Sequence, residues 1–296
     1  MQLTRRLIVR LLIFGGLLCV LGLYLTRPQQ LPADALADHT PDATHGAVVY
    51  AAMGCASCHM APKSEDQTVL SGGRSFVTDF GTFYAPNISS DVDHGIGGWS
   101  DLDIANAIVE GTSPGGQHYF PVFPYGSYLR AELSDVADLI AHLRQLPADS
   151  TPNRGHDVSF PFNIRTSLGG WKLLFLRDDW IITDTLTPQQ ERGRELVEAL
   201  GHCGECHTPR NMFGGMKWDA WLAGAPIPGS KGRTPDIRPE KLQWSAGDIV
   251  AYLKTGLTPE YDSAGGEMVE VIANTSQLPD SDLEAIAAYL LMPALN

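Results

Sequence analysis

Two copies of one pentapeptide constrain this chain more than anything else in it: Cys55-Ala56-Ser57-Cys58-His59 and Cys203-Gly204-Glu205-Cys206-His207. Each reads Cys-x-x-Cys-His, the attachment signal for c-type haem. The spacing follows from the chemistry. Two thiols add across the vinyl groups of one porphyrin, and the adjoining imidazole then reaches the iron. A single copy is compatible with chance or with half of a zinc site, but two copies take four of the five cysteines. The expectation is two covalently bound haem c groups, held by Cys55 and Cys58 and by Cys203 and Cys206, with His59 and His207 as proximal ligands. Only Cys19 remains, in an apolar run, which excludes structural disulfides; the haem signals imply maturation outside the cytoplasm.

At 296 residues the chain has room for two domains of ordinary size, and 44% hydrophobic content suffices for their cores. Its 21 basic and 34 acidic residues give a net charge of −13. That balance disfavours nucleic acid and an anionic lipid surface as partners. The only membrane-like stretch is residues 1–27, where Arg5, Arg6 and Arg10 precede an uncharged run from Leu11 to Leu25. A cleaved signal peptide is the rival to a retained anchor. No small-x-small site follows, however, since the next residues are Leu25-Thr26-Arg27-Pro28-Gln29. We therefore expect a single transmembrane helix with its N-terminus in the cytoplasm and the haem domains on the far side. Residues 28–42 read as a solvated tether.

The rest of the chain repeats itself. Trp99-Ser100 recurs as Trp244-Ser245, each serine able to cap a helix with Asp103 or Asp248 three residues on. Those helices should end at Gly111 and Gly256, suited to a left-handed C′ residue. Pro86-Asn87-Ile88 answers to Pro235-Asp236-Ile237, and closing helices near Ser134–Leu146 and Asp280–Leu291 also match. Helices at about 43–53 and from Thr187 to Gly201 lead into the two pentapeptides. Each half is thus helix, haem signal, long loop, short helix, ligand loop and closing helix, so the fold class is all-α, with one small haem domain at 43–146 and another at 185–296. Between them, 147–184 breaks the pattern and reads as an aromatic strap against both halves, or as a docking surface for a partner protein.

The same register addresses the distal face of each iron. Twelve residues after Gly256 stands Met268, whose thioether would give His/Met ligation and a raised potential suited to electron transfer. The equivalent residue after Gly111 is Phe123, which cannot ligate. His118, in the same loop, is the best substitute; an open sixth position, or a more distant histidine among His39, His45, His94, His142 and His156, is the alternative. Pro62 and Pro209, just past the proximal histidines, can present carbonyls to the imidazoles and so set their tautomer. Trp99, Trp244, Arg74, Arg233 and Arg238 are candidates for holding haem propionates, or simply for packing and solvation.

From about Gly46 to Leu291 the chain resembles the membrane-anchored multihaem cytochrome c subunits of bacterial periplasmic alcohol, aldehyde and gluconate dehydrogenases. Four strings carry the resemblance: Asn87-Ile88-Ser89, Gly95-Ile96-Gly97-Gly98-Trp99-Ser100, Tyr119-Phe120-Pro121 with Phe123-Pro124-Tyr125, and the run from Gly201 to Asn211. It implies tandem class I cytochrome c folds at the periplasmic face of a bacterial inner membrane. These would take electrons from a dehydrogenase and pass them to quinone or another respiratory acceptor. Typical members carry three haem domains where this chain has two, and often place Met where Phe123 stands. A membrane-tethered dihaem electron carrier is the leading expectation; a peroxidase-like dihaem enzyme, or a gas sensor using an open first haem, is the alternative.

Overall fold

The computed structural model describes residues 2–293. Helix α1 spans Gln2–Leu25. At 1.5 Å per residue it is about 36 Å long, and its stretch Arg5–Leu25 is long and apolar enough to cross a bilayer. Helix α2 (Ala43–Met53) begins where Asp42 accepts the Thr44 amide and stops at Gly54, left-handed at φ 61°. The first pentapeptide is itself a short helix, α3 (Cys55–His59). Strands β1 (Ser75–Thr78) and β2 (Gly81–Tyr84) form an antiparallel ribbon. Helix α4 (Asp101–Ala105) opens on the Ser100–Asp103 capping box, runs into a π-helical turn at Asn106–Glu110 and ends at Gly111. Helices α5 (Tyr125–Tyr128) and α6 (Leu133–Leu143) complete the first half.

Helix α7 (Ser167–Phe175) lies in the strap. The order then recurs. Helix α8 (Pro188–Arg194) opens on the Thr187–Gln190 box and passes into a π-helical turn, Glu195–Leu200. Helix α9 (Gly204–His207) carries the second pentapeptide, and β3 (Ala225–Pro226) pairs with β4 (Arg233–Thr234). Helices α10 (Pro239–Leu242), α11 (Ala246–Thr255), α12 (Met268–Thr275) and α13 (Asp280–Leu290) follow. Helix α11 carries the second Ser–Asp box, Ser245 with Asp248, and stops at Gly256, φ 78°. The molecule is mostly helical; the all-α expectation is amended by the two ribbons. In the first of them Phe76-Val77-Thr78 and Thr82-Phe83-Tyr84 supply the β-branched and aromatic residues that favour a pleated surface.

Each half is closed by one helix crossing, α2 on α6 and α8 on α13. Both crossings need glycine for close approach. A methyl group at Gly46 would lie 2.0 Å from the Asp138 carbonyl oxygen, and one at Gly193 would lie 2.1 Å from that of Ala285. The next contacts are also equivalent: the Cβ atoms of His142 and Tyr289, at 2.9 and 2.8 Å. Around the first crossing Val49, Met53, Leu139 and Ile140 are buried; around the second, Val197, Leu200, Leu283 and Ile286. Arg144 then ties the closing helix α6 to the glycine-rich loop before Ser100. Its guanidinium donates to the carbonyls of Ile96, Gly97 and Trp99.

Two linking segments are more tightly held than their composition suggests. The tether expected to be solvated lies on the first half. The Leu31 amide donates to Asn106 Oδ1 at 2.7 Å, and the carboxylate of buried Asp138 accepts from the Asp42 amide, His39 Nε2 and His45 Nδ1. Burial alone would push the Asp138 carboxyl up, but these donors hold it below its ordinary range. The strap does touch both halves. Lys172 donates to the Glu110 and Gly111 carbonyls of the first, and Trp171 Nε1 donates to the Phe213 carbonyl of the second. Arg130 holds the far end of the strap through the carbonyls of Arg177 and Asp179.

Candidate haem sites

The two pentapeptides occupy matching surroundings. His59 Nδ1 lies 2.8 Å from the Pro86 carbonyl oxygen, and His207 Nδ1 lies 2.8 Å from that of Pro235. A carbonyl only accepts, so each Nδ1 carries the proton and each Nε2 presents a lone pair. Among the described residues nothing in the protein bonds either Nε2. Burial also lowers the basicity of both rings, which keeps them neutral as ligation requires. The carbonyls thus come from Pro86 and Pro235, not from Pro62 and Pro209 as expected. The chain reaches them because the loop after each pentapeptide doubles back. The Gly72 amide donates to the His59 carbonyl and the Gly224 amide to that of His207, while Ile88 and Ile237 donate to Leu70 and Leu222. Two cysteines and an imidazole on one short helix, with an unpaired Nε2 and a fixed tautomer, fit a covalently attached haem. Burial pushes the Cys55 and Cys203 thiols up to about 12.

The second variable residue of each pentapeptide is held by the opposite half. Asn274, on α12, donates to Ser57 Oγ at 2.6 Å, and Ser57 also caps the Glu270 carbonyl. Reciprocally, Ser127, on α5, donates to Glu205 Oε1 at 3.3 Å. Arg74 bridges the Ser57 carbonyl and the Glu267 carboxylate, and Arg210 pairs with Glu205. Between the pentapeptides, the Met53 carbonyl accepts from Tyr128 OH at 3.2 Å and from His202 Nε2 at 3.3 Å. His202 immediately precedes Cys203, and Met53 stands two residues before Cys55. Sequence reasoning missed this seam; its only trace there was the polarity of Ser57 and Glu205.

On the distal side the two ligand loops stay in register. The Thr112–His118 bridge has its counterpart in Leu257–Ser263. The Tyr119 amide bonds the Gly111 carbonyl at 2.8 Å, as the Ala264 amide bonds that of Gly256. Carried forward, this pairing sets Met268, the half-buried first residue of α12, opposite Phe123. Phe123 packs edge-on to Tyr119, Tyr125 and Tyr128. Two other methionines of the second half stand elsewhere: Met212 is 83% exposed and Met216 packs on the core.

His118 finds different partners from those its loop position suggested. The ring is buried, with Nε2 donating to the Thr26 carbonyl at 2.9 Å and Nδ1 enclosed without a partner among the described residues. The nitrogen that His59 and His207 leave open is, in His118, spent on the end of α1. Three of the five distant histidines are also engaged. His39 and His45 bind Asp138, and His156 accepts from the Tyr84 amide between the rings of Phe83 and Phe120; His142 lies against the Tyr50 ring, and His94 Nδ1 is enclosed without a hydrogen-bond partner among the described residues. Of the expected propionate partners, Arg74 and Arg238 are paired with Glu267 and Asp236, and Arg233 is exposed on β4.

Comparison with known proteins agrees with this geometry. The cytochrome c family model matches residues 43–147. The chain is 55% identical over 278 residues to a "Diheme cytochrome c-type" protein of Cereibacter sphaeroides, covering 93% of this chain and 94% of that one. It belongs to the dihaem c-type cytochromes. It is also 36% identical to the fructose dehydrogenase cytochrome subunit of Gluconobacter japonicus, over 88% of this chain and 53% of the subunit. A third relative is the cytochrome c subunit of the quinone alcohol dehydrogenase of Gluconobacter oxydans, 33% identical over 81% of this chain and 52% of the subunit. The chain therefore spans about half the length of these dehydrogenase subunits.

Proposed function

We propose that this chain is a membrane-tethered dihaem electron carrier. Residues 1–27 anchor it in a bacterial inner membrane, 28–42 lead to the periplasmic body, and 43–146 and 185–296 are tandem class I cytochrome c-like domains joined by the strap 147–184. Cys55, Cys58 and His59 hold one haem c; Cys203, Cys206 and His207 hold the other, with Met268 as its sixth ligand. The bound haems supply one-electron chemistry. The chain's own residues fix the imidazole tautomers and tie each attachment helix to the opposite half. The carrier takes electrons from a periplasmic dehydrogenase, as the names of its relatives suggest, and delivers them to a respiratory acceptor such as quinone. One observation carries the reading: two pentapeptide histidines, each with Nδ1 on a proline carbonyl from the same point of a repeat and Nε2 left open.

The test is a haem count. Pyridine haemochrome analysis of the purified full chain should give two haems c per polypeptide. The double variant Cys203→Ala/Cys206→Ala should give one, with the first site's spectrum intact. One haem in the parent chain would end the dihaem reading.

The first iron's distal side gives a separate expectation. Because His118 is engaged with Thr26, His118→Ala should leave the electron paramagnetic resonance of the oxidised protein unchanged. A shift in one haem's g-values would return His118 to the iron. A new high-spin signal with rapid carbon monoxide binding in the parent chain would instead favour an enzyme or a gas sensor.

A further inference from the structure

We propose that the outer face of the strap, α7 together with residues 160–164, rests in the bilayer interface beside the end of α1, with its exposed apolar side chains in contact with lipid. The inference rests on the reading of α1 as an anchor. Its first support is position. Gly169 of α7 lies so close to α1 that a methyl group there would be 1.9 Å from the Thr26 carbonyl oxygen. His118 bonds that same carbonyl, and Arg165 of the strap donates to the His118 carbonyl at 3.0 Å. The strap is therefore clasped around the point where α1 leaves the membrane.

The second support is the exposed face itself. Leu173 stands one helical turn from Gly169, on the same side of α7, and is 65% exposed; Leu174 is 74% and Phe160 78% exposed, with Phe162 and Ile164 also open. This is not loose packing. The opposite side of α7 is tightly held, with Leu168 buried against Phe83 and Phe120 and with Lys172 and Trp171 bonded to the two halves. Large apolar side chains concentrated on one face of a firmly held helix mark an interaction surface.

The neighbouring anchor selects lipid as the occupant. The Gly169–Thr26 contact fixes α7 at the level where α1 leaves the bilayer, and aromatic and aliphatic side chains exposed at that level are the composition of a segment lying in a membrane interface. The end of α1 has the matching character, with the Arg27 guanidinium 4.3 Å above the Tyr24 ring.

The full chain, in a Cys19→Ser background so that every other cysteine is tied to haem, would be spin-labelled singly at Leu17→Cys, Leu173→Cys, Leu174→Cys and Asp262→Cys. Each would be reconstituted into vesicles of phosphatidylethanolamine and phosphatidylglycerol, and collision with dissolved oxygen compared with that of a water-soluble nickel chelate. An unchanged Soret band confirms that each labelled protein is folded. Labels at 173 and 174 should prefer oxygen, as the label at 17 does, while the label at 262 prefers the chelate. Labels at 173 and 174 that behave like 262 overturn the inference and leave the face for a protein partner. A label at 17 that prefers the chelate overturns the anchor reading, and this inference with it.

Discussion

Replacing Met268 with alanine should remove the sulfur-to-iron charge-transfer band from the oxidised spectrum and lower one of the two midpoint potentials. A thioether is a neutral, soft ligand that favours ferrous iron; water or an empty position in its place favours ferric iron. Axial ligands move haem potentials over a range of about 0.8 V, so the fall should be on the order of 0.1 V or more. Among the described methionines, Met268 is the one that the repeat aligns for this role. Its counterpart in the register marked by the Thr112–His118 and Leu257–Ser263 bridges is Phe123, which has no donor atom. The band in the parent protein should therefore have the intensity of one haem, and the other potential should not move in the variant. An unchanged spectrum and titration would assign the sulfur elsewhere.

Large stability losses should come from Gly46→Ala and Gly193→Ala. A methyl group would lie 2.0 Å and 2.1 Å, respectively, from a backbone carbonyl oxygen of the facing helix. Neither oxygen can rotate away as a side chain would, so each crossing must open. Forced overpacking of this kind costs about 1–3 kcal/mol, and contact with backbone belongs at the upper end. Denaturant titration followed at the Soret band should show a lowered midpoint in both. Gly155→Ala, where nothing lies within 4 Å of the added carbon, is the control and should match the parent. Midpoints within error for all three would mean that the crossings tolerate separation.

The features read correctly from sequence are those written in local spacing. The capping boxes at Ser100, Thr187 and Ser245, the end of α2 near residue 53, and the left-handed ends at Gly111 and Gly256 each depend on residues within one or two turns. The Pro86–Pro235 match was visible, but its meaning was not. The carbonyl that fixes each tautomer is brought back from the far end of a doubled loop, whereas Pro62 and Pro209 are merely near in sequence. The bond of His118 to Thr26 was hidden for a similar reason, since Thr26 lies outside both halves of the repeat. The tether's polar composition suggested solvent, but Asp138 collects its donors across the fold. The ribbons were hidden by their shortness and by the surrounding loops.

The reciprocal bonds between the halves, Asn274 to Ser57 and Ser127 to Glu205, have a consequence for rate. Two redox centres on a flexible leash exchange electrons only as often as diffusion brings them within tunnelling range. Here each attachment helix is grasped by the other half, and Met53 and His202 close the space between them. The gap an electron must cross is thus a fixed dimension of the folded protein, and passage between the two centres need not wait for any large-scale motion.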